Sequence, residues 1–523
     1  MTPRALSRFH ERACLARAYP KTRDELVAAN RLLSGFHKRK DLARHAEALA
    51  DSGIVGTPIH YRFFWAMARW LASRYPAVLT IDWSQGEFAD RLGALLPLLV
   101  TQAESEALRR AELPAREAID RLRASRETDA TFLVRRIEAL PGGDRVREAT
   151  HDALDVAYRL DGSARGPSRT LAHFAGAPFA FYGGPKAGTR PDLATELDRP
   201  PRSVRELSRR DGERVLDLAR AAMVTRSRDL DAFTYGDSRD VLLVDDGDGL
   251  SFAMIGVLPE RRLFLPAVYG ALSLRNGVPI GYVQLDVLLR NAEISFNTFE
   301  TFRGGEAGFV FCRLLAAARH LFRVDTFSIE PYQLGRGNHE AIDSGAWWFY
   351  AKFGFRPRDR RVARLARAEL QKRARNHEYR SSPATLTKLA AAHVFWSGSK
   401  RNAAVIAPIV PLGFAISRKL AKGSEIGREA AIAACEDRIQ RRLNVRSTGG
   451  WSSSERLWLK RWSPLMDALP GLARWSAAER RALVRVVRAK GGPSEREYAR
   501  LFDAHPRLAD AVLTFCRRQP TLG

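Results

Sequence analysis

With 523 residues, the chain has room for roughly two to four domains that each bury a core. Hydrophobic residues make up 45% and charged residues 28%, ordinary for a soluble globular protein, but the formal charge of +26 is not ordinary. A field of that sign favours anionic partners such as nucleic acid, acidic lipid or a phosphate-rich cofactor, although an arginine-biased composition gives the same number without selection for binding.

The N-terminal segment is basic but has no continuous apolar run, which excludes a signal peptide. No stretch reaches the ~18–20 apolar residues of a membrane span. The nearest, 403–416 (AAVIAPIVPLGFAI), is broken by Pro408 and Pro411 and reads as a buried hinge or a shallow interfacial segment. Cys14, Cys312, Cys435 and Cys516 lie far apart without Cys-x-x-Cys spacing, which predicts a reduced, cytoplasmic protein without structural zinc or any other metal.

Residues 1–160 read as helical. Leu26, Ala29, Leu32 and Leu33 mark one amphipathic stretch, 61–71 (YRFFWAMARWL) an aromatic helix, and 110–138 a helix with a solvated, charge-mixed face. Residues 161–203 are rich in Gly and Pro and predict a connector, with Phe179-Ala180-Phe181-Tyr182 as a docking point. From Val204 the pattern becomes α/β: a helix through Val215, Leu216, Leu218 and Ala222, then strands at 240–245, 250–257, 263–274, 280–289 and 292–299. Asp245-Asp246-Gly247-Asp248-Gly249 between two of them reads as a turn, because it lacks the spaced ligands and closing Glu of a calcium loop.

The densest pattern follows. Ile294, Phe296 and Thr298 alternate with Glu293, Ser295 and Asn297, predicting a half-buried strand. A turn, Arg303-Gly304-Gly305-Glu306-Ala307-Gly308, leads into a helix marked by Phe309, Cys312, Leu315, Ala316 and Arg319. A glycine-rich turn opening a helix leaves backbone N–H groups at the positive end of the dipole, a geometry that holds phosphate oxygens. Glu306 reads either as an acid that favours this helix end or as a sign that the turn has another use. Past Arg358 the chain returns to helix. Residues 360–375 (RRVARLARAELQKRAR) form a basic helix, a candidate nucleic-acid or acidic-surface patch or simply a solvated face, and amphipathic helices at 423–442 and 454–523 follow.

Residues 204–360 resemble the core of the GNAT superfamily of N-acetyltransferases. In that family a turn reading Arg/Gln-x-x-Gly-x-Gly/Ala grips the pyrophosphate of acetyl-coenzyme A. Arg303 and Gly308 fill its ends, and Glu306 replaces its middle glycine. A second signature, Asn-x-x-Ala-x-x-x-Tyr followed by Leu/Phe-Gly-Phe, is matched by Ala346, Tyr350 and Phe353-Gly354-Phe355, with Asp343 in the Asn position and Asn338 five residues earlier. Asn276-Gly277-Val278-Pro279-Ile280-Gly281-Tyr282 resembles the hairpin before the cofactor strand.

The resemblance implies a GNAT-like mixed sheet domain at 204–360; with the patterning of the flanks, a helical domain at 1–160, a connector at 161–203 and a basic helical domain at 361–523, the chain reads as an α+β multidomain protein. It also implies an acetyl-CoA or other acyl-CoA donor held by Phe299, Arg303, Gly304, Gly305, Gly308 and Asp343, and transfer to an amine acceptor of unspecified kind. Tyr350 falls where the family places the tyrosine that protonates the coenzyme A sulfur. A phenol with pKa near 10 is protonated at neutral pH and can donate; the same residue also fits as packing beside Trp347 and Trp348. Glu330, read as mid-strand, and Glu300, at the end of the cofactor strand, are the candidate bases, with Glu330 preferred. Two other readings stay open: aminoacyl transfer from tRNA on the same fold, and a non-catalytic scaffold or nucleic-acid-associated binding protein.

Overall fold

The computed structural model describes residues 1–162, 165–184, 191–304, 306–398, 405–421 and 427–518. The chain is an α+β protein with a central nine-stranded mixed sheet and helical N- and C-terminal regions.

The N-terminal region is not wholly helical. Strands β1 (Ile59–Tyr61), β2 (Leu79–Ile81) and β3 (Tyr158–Leu160) form a small antiparallel sheet in the order β1-β3-β2. Three-residue strands are too short to show alternation in sequence. Tyr61 therefore belongs to β1, and the aromatic helix begins only at Trp65. The expected helix at 110–138 is split by Pro114 and by the Thr128 capping box. Its last piece, Asp129–Glu138, buries Phe132, Leu133, Val134 and Ile137, so it belongs to a core and is not a solvated face.

The large sheet contains β4 (Ser203–Glu206), β5 (Gly236–Gly247), β6 (Leu250–Val257), β7 (Ala267–Arg275), β8 (Val278–Leu288), β9 (Asn291–Thr298), β10 (Thr326–Ile329), β11 (Arg356–Pro357) and β12 (Val394–Ser397). Their order is β11-β12-β10-β9-β8-β7-β6-β5-β4. β4 to β9 form an antiparallel meander, and β10 joins β9 in parallel. β12, from a region expected to be helical, inserts antiparallel between β10 and β11. Each strand of the expected meander is present, 250–257 with the expected bounds and the others with shifted ends. The β5–β6 connection is a tight turn through Gly247-Asp248-Gly249, as its composition suggested.

The β7–β8 hairpin turns through Asn276 and Gly277, both with positive φ (48° and 76°), the backbone that an Asn-Gly pair tolerates best. The Asn276 side chain donates to the carbonyls of Ala18 and Ala180 and accepts from the Ala180 amide, tying the N-terminal helix to the sheet.

Alternation assigns the two faces of the meander. Leu243, Ile255 and Leu272 meet the Arg209–Val224 helix, while Leu242, Met254 and Val283 meet the Ala307–Phe322 helix. The second helix is apolar on nearly all sides because the C-terminal helices cover what the sheet does not. The core continues into Trp458 and Trp462, whose indole N–H groups donate to Pro259 O (2.8 Å) and Phe264 O (2.9 Å). A fully buried ion pair, Lys490–Glu495, completes the junction: Lys490 also donates to Pro266 O, and Glu495 accepts the Val268 amide. Arg262 lies 3.9 Å from Glu495.

Glu495→Ala removes the counter-charge of a buried lysine and is expected to cost about 3–5 kcal/mol in urea unfolding. Glu106→Ala, which removes only an exposed i,i+4 partner of Arg110, is expected to change stability by less than ~0.5 kcal/mol.

Candidate functional site

Strands β9 and β10 are parallel but pair at only three positions: Asn291 with Thr326, Ala292 with Phe327 and Glu293 with Ser328. β9 then continues to Thr298, held on its other side by β8. β10 stops at Ile329, because Pro331 opens a short helix, Pro331–Leu334. The strands part, and from Ile294 to Thr298 one edge of β9 has no strand partner among the described residues.

The wedge between them has an aromatic floor. The Ala346–Lys352 helix places Phe349 flat against Phe296 (centroids 5.9 Å, interplanar 6°), with Phe311, Phe353 and Phe355 beneath. Tyr350, buried beside them, turns its phenol oxygen toward the backbone amide of Phe296, a group of the unpaired strand. Burial holds its phenol pKa well above the usual value, so the proton stays on.

Above this floor lies a cavity of 480 Å³. Its sheet side is polar, because the cross-strand pairs Tyr282–Asn297 and Gln284–Ser295 face it. Its rim is closed by one carboxylate: Glu340 bridges Arg228 (2.8 Å) and Arg303 (2.8 Å), and Arg303 also donates to Thr298 O. Those two hydrogen bonds hold the Glu340 pKa below the usual carboxylate range.

The loop after the Arg209–Val224 helix brings Asp229 into the same cavity. Both of its carboxylate oxygens are shut from solvent with no donor in good hydrogen-bond geometry, and only the Phe64 backbone amide faces them. Burial first, then the charges of Asp231 and Asp152, raises its pKa to about 7. Nothing in the local sequence (RSRDLDAF) marks this residue; only the fold brings it to the site.

A second cavity of 500 Å³ lies beside the glycine-rich turn, lined by Arg12, Tyr19, Lys21, Tyr182, Gly304 and Glu306 among others, and Arg303 lines both cavities. Glu306 is ion-paired with Arg275 (2.6 Å), so its charge is matched locally. It makes no side-chain cap on the Ala307–Phe322 helix. A Cβ on Gly304 meets nothing within 4 Å, whereas one on Gly308 lies 2.9 Å from the Phe353 ring, so Gly308 is required by helix packing. Gly305 lies outside the described residues.

The remaining expected site residues lie elsewhere. Phe299 is buried under the Arg226 guanidinium, 3.5 Å from its ring centroid, and lines neither cavity. Asp343 is exposed at the end of the His339–Asp343 helix, and Asn338, which caps that helix, lines the first cavity instead. Glu300 is exposed in the turn after β9 and lines neither cavity. Glu330 is not mid-strand: it follows β10 and stands just before the Pro331–Leu334 helix without a side-chain cap bond. Burial and the nearby Glu293 raise its pKa, and Glu293 pairs with His393 (3.1 Å). The same acids, after burial, raise Asp286 to about 7, although its side chain keeps a partly exposed edge; Gln284, in the cavity wall, donates to it. Among the described residues no group of three or more His, Cys, Asp or Glu side chains is placed to hold a metal ion.

An Asp whose folded pKa is about 7, against 3.8 as the ordinary value, keeps a proton that the unfolded chain loses between those pH values. Stability therefore falls as pH rises through that window. Asp229→Asn is expected to remove this slope and to raise stability at pH 8 by about 2–4 kcal/mol, read from denaturant unfolding at pH 4 and pH 8. In the turn, Gly308→Ala is expected to destabilise by about 1–3 kcal/mol through overpacking on Phe353, and Gly304→Ala to change little.

Compared with protein-family models, curated proteins and solved structures, the chain matches none.

Proposed function

We propose that the chain is an acyl-CoA-dependent N-acyltransferase with a GNAT-like site at the parting of β9 and β10. The observation that carries this reading is the unpaired edge of β9, which runs from the buried phenol of Tyr350 to Arg303 and the second, basic cavity. A long, thin donor with amides along its arm and phosphates at one end fits that path. The strand edge offers backbone groups to the amides, and Arg303, Lys21 and Arg12 offer charge to the phosphates. Such a donor supplies a thioester acyl group and a thiol leaving group.

The protein's own groups suit the two proton movements. Asp229, with a pKa of about 7, takes a proton from the acceptor ammonium and leaves a neutral amine. The Tyr350 phenol stays protonated and lines the cavity, so its O–H can donate to departing sulfur. Asp229 replaces Glu330 and Glu300 as the preferred base because it lines the cavity and they do not. The polar wall of Tyr282, Gln284, Ser295 and Asn297 orients an acceptor rich in hydrogen-bonding groups. One observation favours a nucleic-acid-linked reading of the same fold: the Arg360–Arg375 helix exposes Arg360, Arg361, Arg364, Arg367 and Arg375.

Calorimetric titration with acetyl-CoA tests the proposal. Micromolar binding is expected, reduced at least ~tenfold in Arg303→Glu and Gly304→Asp, whose positions face solvent and leave the core intact. With an acceptor in hand, Tyr350→Phe is expected to lower kcat roughly 10–100-fold with little change in donor affinity. No binding at millimolar acetyl-CoA would sink the reading. Steeply salt-dependent tRNA binding in its place would bring the aminoacyl-transfer alternative forward.

A further inference from the structure

The helix Ile409–Ala421 is held by one face only. Leu412, Ala415 and Leu420 are buried, Ile416 packs partly, and Lys419 pairs with Asp467 (2.9 Å), whose carboxylate also receives Arg438 and Arg442. The helix is thereby fixed against the Ser453–Ala468 and Arg428–Leu443 helices.

Its outward face is apolar. Val405 (36%), Ile406 (40%), Ile409 (38%), Val410 (59%) and Phe414 (54%) are all exposed, and they account for five of the sixteen large exposed apolar side chains among the described residues. Val410 and Phe414 lie about one turn apart on the helix and Arg418 a further turn on, while Val405 and Ile406 belong to the segment that leads into it. Scattered exposed apolar residues need no explanation, but five of them within ten residues, on one helix and its lead-in, mark an interaction surface.

The charge around the row decides what covers it. From Tyr379 to Ser424 the sequence has seven Lys and Arg residues and no Asp or Glu. A second copy of the chain would set two such stretches, and two net charges of +26, against each other. Nucleic acid matches the charge but gains nothing from the apolar row. An anionic lipid surface matches both, taking the side chains at the acyl boundary and the bases at the headgroups. Among the described residues no helix is long and apolar enough to cross a membrane, so the contact is peripheral.

We propose that the 405–418 face is a docking surface for anionic lipid membranes, with Val410 and Phe414 as its inserting side chains.

Co-sedimentation of the full chain with vesicles tests this. Phosphatidylcholine vesicles holding about one third phosphatidylserine are expected to bind the protein, and pure phosphatidylcholine vesicles to bind it at least ~tenfold more weakly. The double variant Val410→Asp/Phe414→Asp, at positions more than half exposed, is expected to stay folded and to lose at least ~tenfold in affinity for the anionic vesicles. Three outcomes would overturn the proposal: no wild-type binding to either vesicle; equal binding by the double variant, which would reduce the effect to diffuse charge; or a concentration-dependent dimer in light scattering that the double variant abolishes.

Discussion

The early end of β10 governs the middle of this molecule. A parallel pair that stops after three positions leaves backbone groups of β9 to be satisfied by something other than a strand. The Tyr350 oxygen faces one of them, and the aromatic ring cluster around Phe296 fills the base of the wedge. What remains open above is a cleft whose one wall is backbone and whose other walls come from separate parts of the chain. The site exists because the sheet is incomplete there.

Electrostatics inside that cleft run against the net charge of the chain. The protein is strongly basic, yet burial raises the carboxyl pKa toward neutrality at Asp229, which lines the cleft, and at Asp286, which bonds to the wall residue Gln284 without lining the cleft. Two guanidiniums at the rim are bound by a single carboxylate, Glu340. The pairs are roughly half exposed, so each contributes at most about 1 kcal/mol and yields readily to a better-matched anion. Part of the basic surplus lies outside, on the exposed arginines of the Arg360–Arg375 helix.

Much of the sheet was legible in the sequence, since alternation and an Asn-Gly hairpin are local signals and β5 to β9 carry them strongly. The short elements were not. β1 to β3 and β12 are three or four residues long, and what stabilises them is pairing with distant strands. The site divided along the same line. Tyr350 and Arg303 lie in local motifs and were visible, while Asp229 sits in a loop with no pattern. Gly308 was read as a phosphate contact and is also tied to Phe353, a partner 45 residues on that no turn motif reveals. Asp343 and Asn338 show the limit of spacing: five residues apart in sequence, one faces solvent and the other lines the cavity.

The Asn276 side chain joins its hairpin to Ala18, 258 residues earlier in the chain. During synthesis, the N-terminal helix therefore emerges long before the turn that receives it. β11 waits similarly, because β12 separates it from β10 and is made later. Central sheet assembly thus depends on contacts distant in sequence, which slows folding and leaves strand edges uncovered on the ribosome. The core around Trp65 and Leu133 is built almost wholly from residues 59–160, so those groups are all made before the central sheet is.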